Sequence, residues 1–285
     1  MSRPAAQLRC GGRTLELEAA VVMGVLNVTP DSFSDGGLYL EPDAALVQAE
    51  RMAEEGATIL DVGGESTRPG APGIDPDEEL RRVLPVIERI AARLPLLISV
   101  DTSNPELMRR AAAAGAHLIN DVRALRVPGA LEAAAAAKLG ICLMHMRGEP
   151  ADMQRDPQYA DVVTEIRHFL GERTRACVQA GIEPERLCVD PGFGFGKTTV
   201  HNLKLLQHLP ELAPPGRPLC VGLSRKSLVA ALTGRPLRER LAGSVALATV
   251  AVLQGARIVR AHDVAATVDA VCIANVMTTR SRQDG

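Results

Sequence analysis

Eight short apolar runs are spread along this 285-residue chain, and nearly every run ends at a polar or charged residue. The residues at these ends are Asn27, Asp61, Asp101, Asn120 with Asp121, His145, Asp190, Ser224 with Lys226, and Arg260 with His262. Segments with helical periodicity separate the runs, as between Pro42 and Gly56. This alternation predicts an α/β fold, a (β/α)8 TIM barrel, whose ~250 residues form one domain with its site at the carboxyl ends of the strands. We therefore expect a single domain over 1–285, with its barrel core at about 20–280.

Proline and glycine mark several of the predicted helix ends. Pro105 stands just inside a helix start, and Gly115 and Gly140 stand just past helix ends. A last amphipathic helix is expected from about Val264 to Met277. These positions leave no segment for a second domain.

Composition narrows the partners and the compartment. Lys and Arg total 32 against 34 Asp and Glu without a long run of one sign, so neither a nucleic acid nor a membrane surface is expected as a partner. The first residues lack the apolar stretch of a signal peptide, and no window approaches the ~18 apolar residues of a membrane span. The six cysteines are isolated from one another, which is typical of reduced core thiols and predicts a cytoplasmic protein.

Two loops after the first strands are longer than simple connections require. NVTPDSFSDGG follows the first strand and VGGESTRPGAPG follows the second, and both are rich in Gly, Pro, Ser, Thr and Asp. Phe33 is one of four phenylalanines and lies in the first loop, while Thr67 and Arg68 precede the rigid Pro69 in the second. An aromatic ring opposite a proline suits a clamp on a flat ligand, so these loops are predicted to cover a site.

Eight motifs taken together resemble one known family. In chain order they are MGVLNVTPDSFSDGG, DVGGESTRPGA, SVDTSNP, HLINDVRAL, CLMHMRG, LCVDPGFGFGKTTVHNL, VGLSRKS and RAHDV, and along nearly the whole chain they resemble those of dihydropteroate synthases. The resemblance implies a (β/α)8 barrel of folate biosynthesis that joins 6-hydroxymethyl-7,8-dihydropterin diphosphate to p-aminobenzoate and releases pyrophosphate. It also implies inhibition by sulfonamides, which mimic p-aminobenzoate.

Pterin recognition requires acceptors for the donors of the ring and an amide for its mixed positions. Asp101, Asn120 and Asp190 supply these groups, and by similarity to the family they hold the pterin. The resemblance also places Lys226 at the acceptor edge of the ring. The glycines of GFGFG are expected to let the backbone pass close to the pterin, with Phe195 packed against it.

The diphosphate end requires positive charge and hydrogen-bond donors. Arg260 and His262 stand two residues apart after the eighth run, so both side chains can point to the same side of the rim. Thr67 adds a hydroxyl there, with Arg68 nearby. By resemblance, Asn27 coordinates a Mg²⁺ ion that also binds the diphosphate oxygens, which agrees with the preference of Mg²⁺ for phosphate plus one or two protein oxygens.

The expected reaction is an SN1-like loss of pyrophosphate, because the electron-rich dihydropterin can delocalise a methylene cation. Its catalytic residues are predicted to be Asp35, which offsets the cation, together with Lys226, Arg260 and His262. The p-aminobenzoate site is predicted to comprise Phe33, Pro69, Ser224 and Arg225, the first two holding the ring and the last two its carboxylate. An aromatic amine needs no activated nucleophile, so positioning is expected to dominate.

Two sequence features are interpreted as structural. His145 has no second ligand residue at metal spacing and is predicted to be a hydrogen-bonded structural residue. GFGFGKT is not a nucleotide loop, because Pro191 stands where GxxxxGK[ST] requires its first glycine.

Two other functions stay open at this point. A methyltetrahydrofolate-type methyltransferase shares the barrel and much of the pterin pocket, and a noncatalytic pterin-binding paralogue would do no chemistry. The motifs that serve diphosphate and p-aminobenzoate favour the synthase over both. By resemblance the later helices, including LAGSVALATVAVLQGA, are expected to form a homodimer.

Overall fold

The structure is a computed structural model that describes residues 7–28, 42–65, 73–149 and 152–283. Over these ranges it contains ten β-strands and nine α-helices. The strands are β1 Gln7–Cys10, β2 Arg13–Glu16, β3 Val21–Asn27, β4 Ile59–Gly63, β5 Leu97–Asp101, β6 Leu118–Asp121, β7 Gly140–Met144, β8 Leu187–Asp190, β9 Cys220–Gly222 and β10 Ile258–Ala261. The helices are α1 Pro42–Glu54, α2 Pro76–Arg93, α3 Pro105–Ala114, α4 Ala130–Ala137, α5 Val162–Gln179, α6 Thr199–Gln207, α7 Ser227–Thr233, α8 Leu241–Leu253 and α9 Val264–Gln283.

Strands β3 to β10 form one parallel sheet in which neighbours in the chain are neighbours in space. The sheet closes on itself because β10 pairs with β3 and with β9, and a parallel bridge joins Val189 to Leu219. The amide of Val189 donates to the carbonyl of Pro218 at 3.0 Å across this seam. The predicted (β/α)8 barrel is therefore confirmed, with an additional helix, α7, between β9 and α8.

The interior of the barrel changes from apolar to polar along the strands. One buried cluster contains the inward residues Met23, Ile59, Leu97, Leu118, Cys142, Cys188, Cys220 and Ile258. Alternate residues of a strand point to the same face, so positions two residues further on lie above this cluster. Those positions include Asp61, Ser99, Asn120, Asp190 and Arg260. The apolar layer thus supports a polar site at the carboxyl ends of the strands.

A hairpin of β1 and β2 precedes the barrel, which the sequence analysis did not predict when it placed the start of the core at about residue 20. Its strands pair antiparallel, with Leu8 opposite Leu15. Leu8, Cys10, Leu15 and Leu17 are buried in the same cluster as the apolar layer of the barrel. The hairpin therefore covers the amino-terminal end of the barrel, opposite the predicted site.

The helix ends agree with prediction at α3 but not at α4. Pro105 begins α3 after the cap Asn104, and Gly115 ends it with a left-handed φ of 104°. Gly140, predicted to follow a helix end, is instead the first residue of β7, and Lys138 ends α4. A Cβ at Gly140 would lie 2.9 Å from the carbonyl oxygen of Arg9, so glycine is required by packing against the hairpin.

The last helix extends to Gln283, beyond the predicted end at Met277. None of the helices in the described ranges is long and apolar enough to cross a membrane.

Candidate active site

The carboxyl ends of four barrel strands meet in one buried ion-pair network. Arg260 donates from Nε to Asp61 Oδ2 at 2.6 Å and from Nη2 to Asp101 Oδ2 at 2.7 Å. The side-chain amide of Asn120 donates to the same Asp61 oxygen at 3.0 Å. The Asp61 side chain is fully buried, while Arg260 keeps 22 % of its side chain exposed. The network fixes the guanidinium between two carboxylates and leaves part of it accessible from the rim.

Burial and charge oppose each other within this network. Burial raises the pKa of Asp101, and the adjacent Arg260 counteracts that rise while the nearby Asp61 adds to it. Burial disfavours the charged form of Arg260, but Asp61 and Asp101 outweigh it, so its pKa lies above the ordinary value. Arg260 therefore stays charged, and the pKa of Asp101 rises to about 7.

A second pair, Asp190 and Lys226, lies on the neighbouring part of the rim. Burial raises the pKa of Asp190, while Lys226 and a 2.6 Å hydrogen bond from the Gly192 amide to Oδ1 hold it down. Burial lowers the pKa of Lys226 to about 8, against the attraction of Asp190. The ammonium of Lys226 donates to the carbonyl of Phe193 and stands 4.7 Å from the centre of the Phe195 ring. Lys226 is thus held at the site by the segment that follows β8.

Ser224 and His262 meet beyond the ends of β9 and β10. The backbone amide of His262 donates to Ser224 Oγ at 3.2 Å, and its ring Nδ1 lies 3.2 Å from the same oxygen. Arg225, next to them, forms an ion pair with Asp263, with Nε at 2.9 Å from Oδ2. The guanidinium of Arg225 therefore already has a carboxylate partner, and its predicted contact with p-aminobenzoate stays a prediction.

Asn27 ends β3 at the rim, opposite Gly63 in the neighbouring strand, and its side chain is partly exposed. In the described ranges no three His, Cys, Asp or Glu side chains are grouped as they would be in a protein-built metal site. A metal at Asn27 would therefore depend on oxygens brought by a ligand.

A cavity of about 820 Å³ opens at the opposite end of the barrel, beside the hairpin, and is lined in part by Arg9, Gly115, Lys138 and Arg186. The last residues of α3 and α4 border it. This cavity is distinct from the predicted diphosphate site, because it lies at the amino-terminal end of the barrel strands.

Known proteins with similar sequences belong to one enzyme family. The family model described as "Pterin binding enzyme" matches residues 23–262. The dihydropteroate synthase of Escherichia coli K12 is 53% identical over 260 residues, which cover 91% of this chain and 92% of that protein. The chain belongs to the dihydropteroate synthase family. The dihydropteroate synthase of Haemophilus influenzae is 50% identical over 263 residues, covering 92% of this chain and 96% of that protein.

Solved structures of the family have the same fold. The Yersinia pestis dihydropteroate synthase, in complex with a sulfonamide drug, superposes with a TM-score of 0.91 at 52% identity, over 96% of this chain and 99% of that chain. The Xanthomonas albilineans enzyme with 4-aminobenzoic acid gives a TM-score of 0.90 at 53% identity, over 96% of this chain and 98% of that chain. The family fold thus extends over nearly the whole chain.

Several predicted site residues lie outside the described ranges. These are Phe33 and Asp35 in the first loop, and Thr67, Arg68 and Pro69 in the second. Their predicted roles in this dihydropteroate synthase family member stay predictions.

Two residues that the predicted site did not include hold parts of it. Asp61 was noted only as a residue at the end of an apolar run, although one of its oxygens accepts from both Arg260 and Asn120. Lys197 is buried and donates to the backbone carbonyls of Gly192 and Phe195. A charged residue inside an otherwise apolar strand was the available signal for Asp61. Lys197 stands in the GFGFGKT motif, but nothing in that motif indicates that its side chain is buried against Gly192 and Phe195.

Burial lowers the pKa of His145 to about 2, and the cationic side chains of Lys197 and Arg147 add to this. Its Nδ1 lies 3.0 Å from Lys197 Nζ. The neutral, hydrogen-bonded ring agrees with the structural role predicted for His145.

Proposed function

We propose that this protein is a dihydropteroate synthase that joins 6-hydroxymethyl-7,8-dihydropterin diphosphate to p-aminobenzoate and releases pyrophosphate. The observation that carries the proposal is the convergence of Asp101, Asn120, Asp190 and Lys226 at one end of the barrel, where Arg260 pairs with Asp101. The chain is also about half identical to dihydropteroate synthases along most of its length.

The pterin ring would be read by two carboxylates, an amide and an ammonium. Asp101 and Asp190 accept hydrogen bonds from the donor groups of the ring. Asn120 donates to Asp61, and this contact orients its amide so that Oδ1 is left to accept from the pterin. Lys226 donates to an acceptor of the ring, and Phe195 packs against its face.

Charge at the site favours departure of the diphosphate. Two nitrogens of Arg260 are engaged by Asp61 and Asp101, so Nη1 is the nitrogen that can meet a phosphate oxygen, with His262 beside it. Negative charge accumulates on the leaving group as the CH₂–O bond breaks, and these donors stabilise it. The methylene group that remains would carry positive charge, which the dihydropterin ring can delocalise and the nearby carboxyl groups of Asp61, Asp101 and Asp190 can offset. We infer from this an SN1-like order, in which the C–O bond breaks before the amine of p-aminobenzoate attacks and loses its proton.

Magnesium is the metal that suits the diphosphate end. Asn27 presents one neutral oxygen at the rim, and Mg²⁺ commonly combines one or two protein oxygens with phosphate oxygens and water. The donor chemistry therefore fits Mg²⁺ held jointly by Asn27 and the diphosphate. When bound, the ion would add to the neutralisation of the leaving group.

The p-aminobenzoate carboxylate would be held by Ser224, with Arg225 assisting. Ser224 already approaches the backbone amide of His262, which keeps its hydroxyl near the rim. Phe33 and Pro69 are proposed to hold the ring, Asp35 to offset the cation, and Thr67 with Arg68 to contact the diphosphate. Sulfonamides, which mimic p-aminobenzoate, would bind in the same place.

A homodimer in the cytoplasm is part of the proposal. Exposed apolar side chains occur on α8 and α9, among them Leu253, Ile273, Val276 and Met277. Such a patch is typical of an interface. The six cysteines are free thiols, five of them buried, which suits a reducing compartment.

The test is a direct assay with 6-hydroxymethyl-7,8-dihydropterin diphosphate, labelled p-aminobenzoate and Mg²⁺. We expect labelled dihydropteroate and pyrophosphate in equal amounts, with strong loss on removal of Mg²⁺ or in Lys226→Ala. Lys204→Ala, a change at an exposed lysine of α6, is the control and should leave the rate unchanged. Protein that folds and binds dihydropterin but gives no product would overturn the proposal in favour of a noncatalytic pterin-binding protein.

A further inference from the structure

The segment from Pro191 to Thr198, between β8 and α6, forms one wall of the site and is packed backbone to backbone against the residues after β7. Gly192 and Gly196 have left-handed φ values of 67° and 65°. A Cβ at Gly192 would lie 1.9 Å from the carbonyl oxygen of His145, and one at Gly196 would lie 2.3 Å from that of Arg147. Only glycine fits at these two positions, because any Cβ would overlap a backbone carbonyl oxygen. The backbone of the segment can therefore lie directly against the residues after β7.

A buried lysine, Lys197, forms hydrogen bonds with the backbone of this segment. Lys197 is 3 % exposed, and its Nζ donates to the carbonyls of Gly192 and Phe195, each at 2.8 Å. The same nitrogen lies 3.0 Å from Nδ1 of His145 and 3.4 Å from its carbonyl oxygen. Nζ of Lys197 and Nδ1 of His145 therefore form a hydrogen bond that links the 192–195 turn to the residue after β7. Lys197 thus links both ends of the 192–195 turn to His145, the residue that follows β7.

The other face of the same turn meets Lys226. The carbonyl of Phe193 accepts from Lys226 Nζ, and the Phe195 ring lies 4.7 Å from that nitrogen. The space beside Gly194 is filled by Lys226, whose Cδ would lie 3.3 Å from a Cβ there. The Gly192 amide donates to Asp190. Lys226 therefore contacts the turn at Phe193 and Phe195, and Asp190 contacts it at Gly192. Lys197 holds the carbonyls at the two ends of the same turn, those of Gly192 and Phe195.

We propose that Lys197 is a positioning residue of the pterin pocket, which fixes Lys226, Phe195 and Asp190 by tying the 192–195 turn to His145. Lys197 does not itself touch the substrate. The inference rests on the proposed function in taking a pterin as the ligand. Burial lowers the pKa of Lys197 well below its ordinary value, and the carbonyls of Gly192 and Phe195 satisfy its N–H groups in this buried place.

The experiment is Lys197→Met, which keeps an unbranched side chain one atom shorter than lysine and removes its hydrogen bonds. Calorimetry with 6-hydroxymethyl-7,8-dihydropterin should give an affinity reduced by about tenfold or more at unchanged stoichiometry, because the turn that positions Lys226 and Phe195 loses its hydrogen bonds to Lys197. Binding of inorganic pyrophosphate with Mg²⁺, which uses Arg260 and His262, should change by less than about twofold. In the coupled assay, KM for the pterin diphosphate should rise much more than KM for p-aminobenzoate. Lys204→Met is the matched control.

A second variant tests the same contact without removing the lysine. His145→Leu should weaken dihydropterin binding in the same direction but less, and the double variant should bind no more weakly than Lys197→Met alone, because both changes break one linkage. This variant carries the test if Lys197→Met does not fold.

Unchanged dihydropterin affinity in Lys197→Met would overturn the proposal. So would a fall in stoichiometry at unchanged affinity, because that result indicates partial unfolding. Failure of the proposed synthase reaction is a separate result, since it would appear as absent product in the unmodified protein whether or not Lys197 affects dihydropterin binding.

Discussion

At the scale of single residues, the site is held by buried charges that each serve more than one partner. Asp61 accepts from Arg260 and from Asn120 through the same oxygen, and Arg260 in turn bridges to Asp101. Removing one member leaves the others without compensation in a buried place, which is more damaging than the loss of a surface ion pair. The position of Arg260 therefore depends on residues that need not touch the substrate.

Asp61→Asn tests this dependence. An amide of the same size carries no negative charge to pair with Arg260, and its NH₂ group would stand where Oδ1 of Asp61 has no hydrogen-bond partner. We therefore expect Arg260 to lose its position, kcat/KM to fall by about 10- to 100-fold, and the free energy of unfolding to fall by about 1–3 kcal/mol. Steady-state kinetics and urea denaturation measure the two effects. The control is Glu106→Gln, which breaks the exposed pair with Arg109 and should change stability by under about 1 kcal/mol. Wild-type kinetics in Asp61→Asn would show that Arg260 is positioned by other means.

Pterin affinity should depend on pH through Lys226 and Asp101. Lys226, with its pKa lowered to about 8 by burial, is an ammonium donor below that pH, so affinity should fall as the pH rises through about 8. Asp101, whose pKa burial raises, must lose its proton to accept from the pterin, so affinity should also fall on the acid side. Calorimetry with dihydropterin across pH 5 to 9.5 checks both limbs. Lys226→Met should lack the alkaline limb and Asp101→Asn the acid limb; a profile with the same two limbs in both variants would contradict the assignment.

At the scale of elements, the strands of the barrel present side chains and the connecting segments define the pocket walls. The turn after β8 is the clearest case, because its glycines permit a close approach to the residues after β7 that any side chain would block. The residues after β7 therefore support the wall of the site through their backbone carbonyls. Displacement of this turn should therefore reduce pterin affinity more than it reduces the stability of the barrel.

Gly192→Ala is the corresponding prediction. The added Cβ would lie 1.9 Å from the His145 carbonyl oxygen at a φ of 67°, so we expect displacement of the turn and a loss of dihydropterin affinity of at least about tenfold. Gly181→Ala is a matched control, because Gly181 also has a left-handed φ, of 85°, but a Cβ there meets nothing within 4 Å. That control should lower stability by about 1 kcal/mol without changing affinity. Equal affinities in the two variants would refute the argument.

At the scale of the whole molecule, the two ends of the barrel and its outer surface differ in character. The hairpin β1–β2 and the apolar layer close the amino-terminal end, and the carboxyl ends of the strands carry the charged network. Helices α8 and α9 pack against each other on the outside and expose apolar side chains. This exposed surface is the basis for the proposed homodimer.

Ile273→Glu combined with Val276→Glu should separate the proposed dimer into monomers. Both residues are more than half exposed on α9, so the added charges should destabilise an interface at this surface without affecting the core of the barrel. Sedimentation equilibrium at micromolar concentration measures the mass, and Val47→Glu, at an exposed position on α1, is the control that should remain dimeric. Identical masses for the double variant and the unmodified protein would contradict an interface at this surface.

The sequence by itself determined the barrel and the position of much of its rim. Short continuous apolar runs and their polar ends are local signals, and they indicate where parallel strands begin, where they end and which side chains stand at the carboxyl ends. Asp101, Asn120, Asp190 and Arg260 were found in this way. The roles of Phe33, Asp35, Thr67, Arg68 and Pro69 stay predictions, since they lie outside the described ranges.

Only the tertiary structure decided how these groups are paired. Arg260 is 199 positions from Asp61 and 159 from Asp101 along the chain, so no local pattern records their contact. The same holds for Lys197 and His145, 52 positions apart, and for the hairpin, whose four-residue strands are stable only against the barrel they cover. Pairing of buried charges depends on which side chains closure of the sheet brings together, and that is a property of the folded chain.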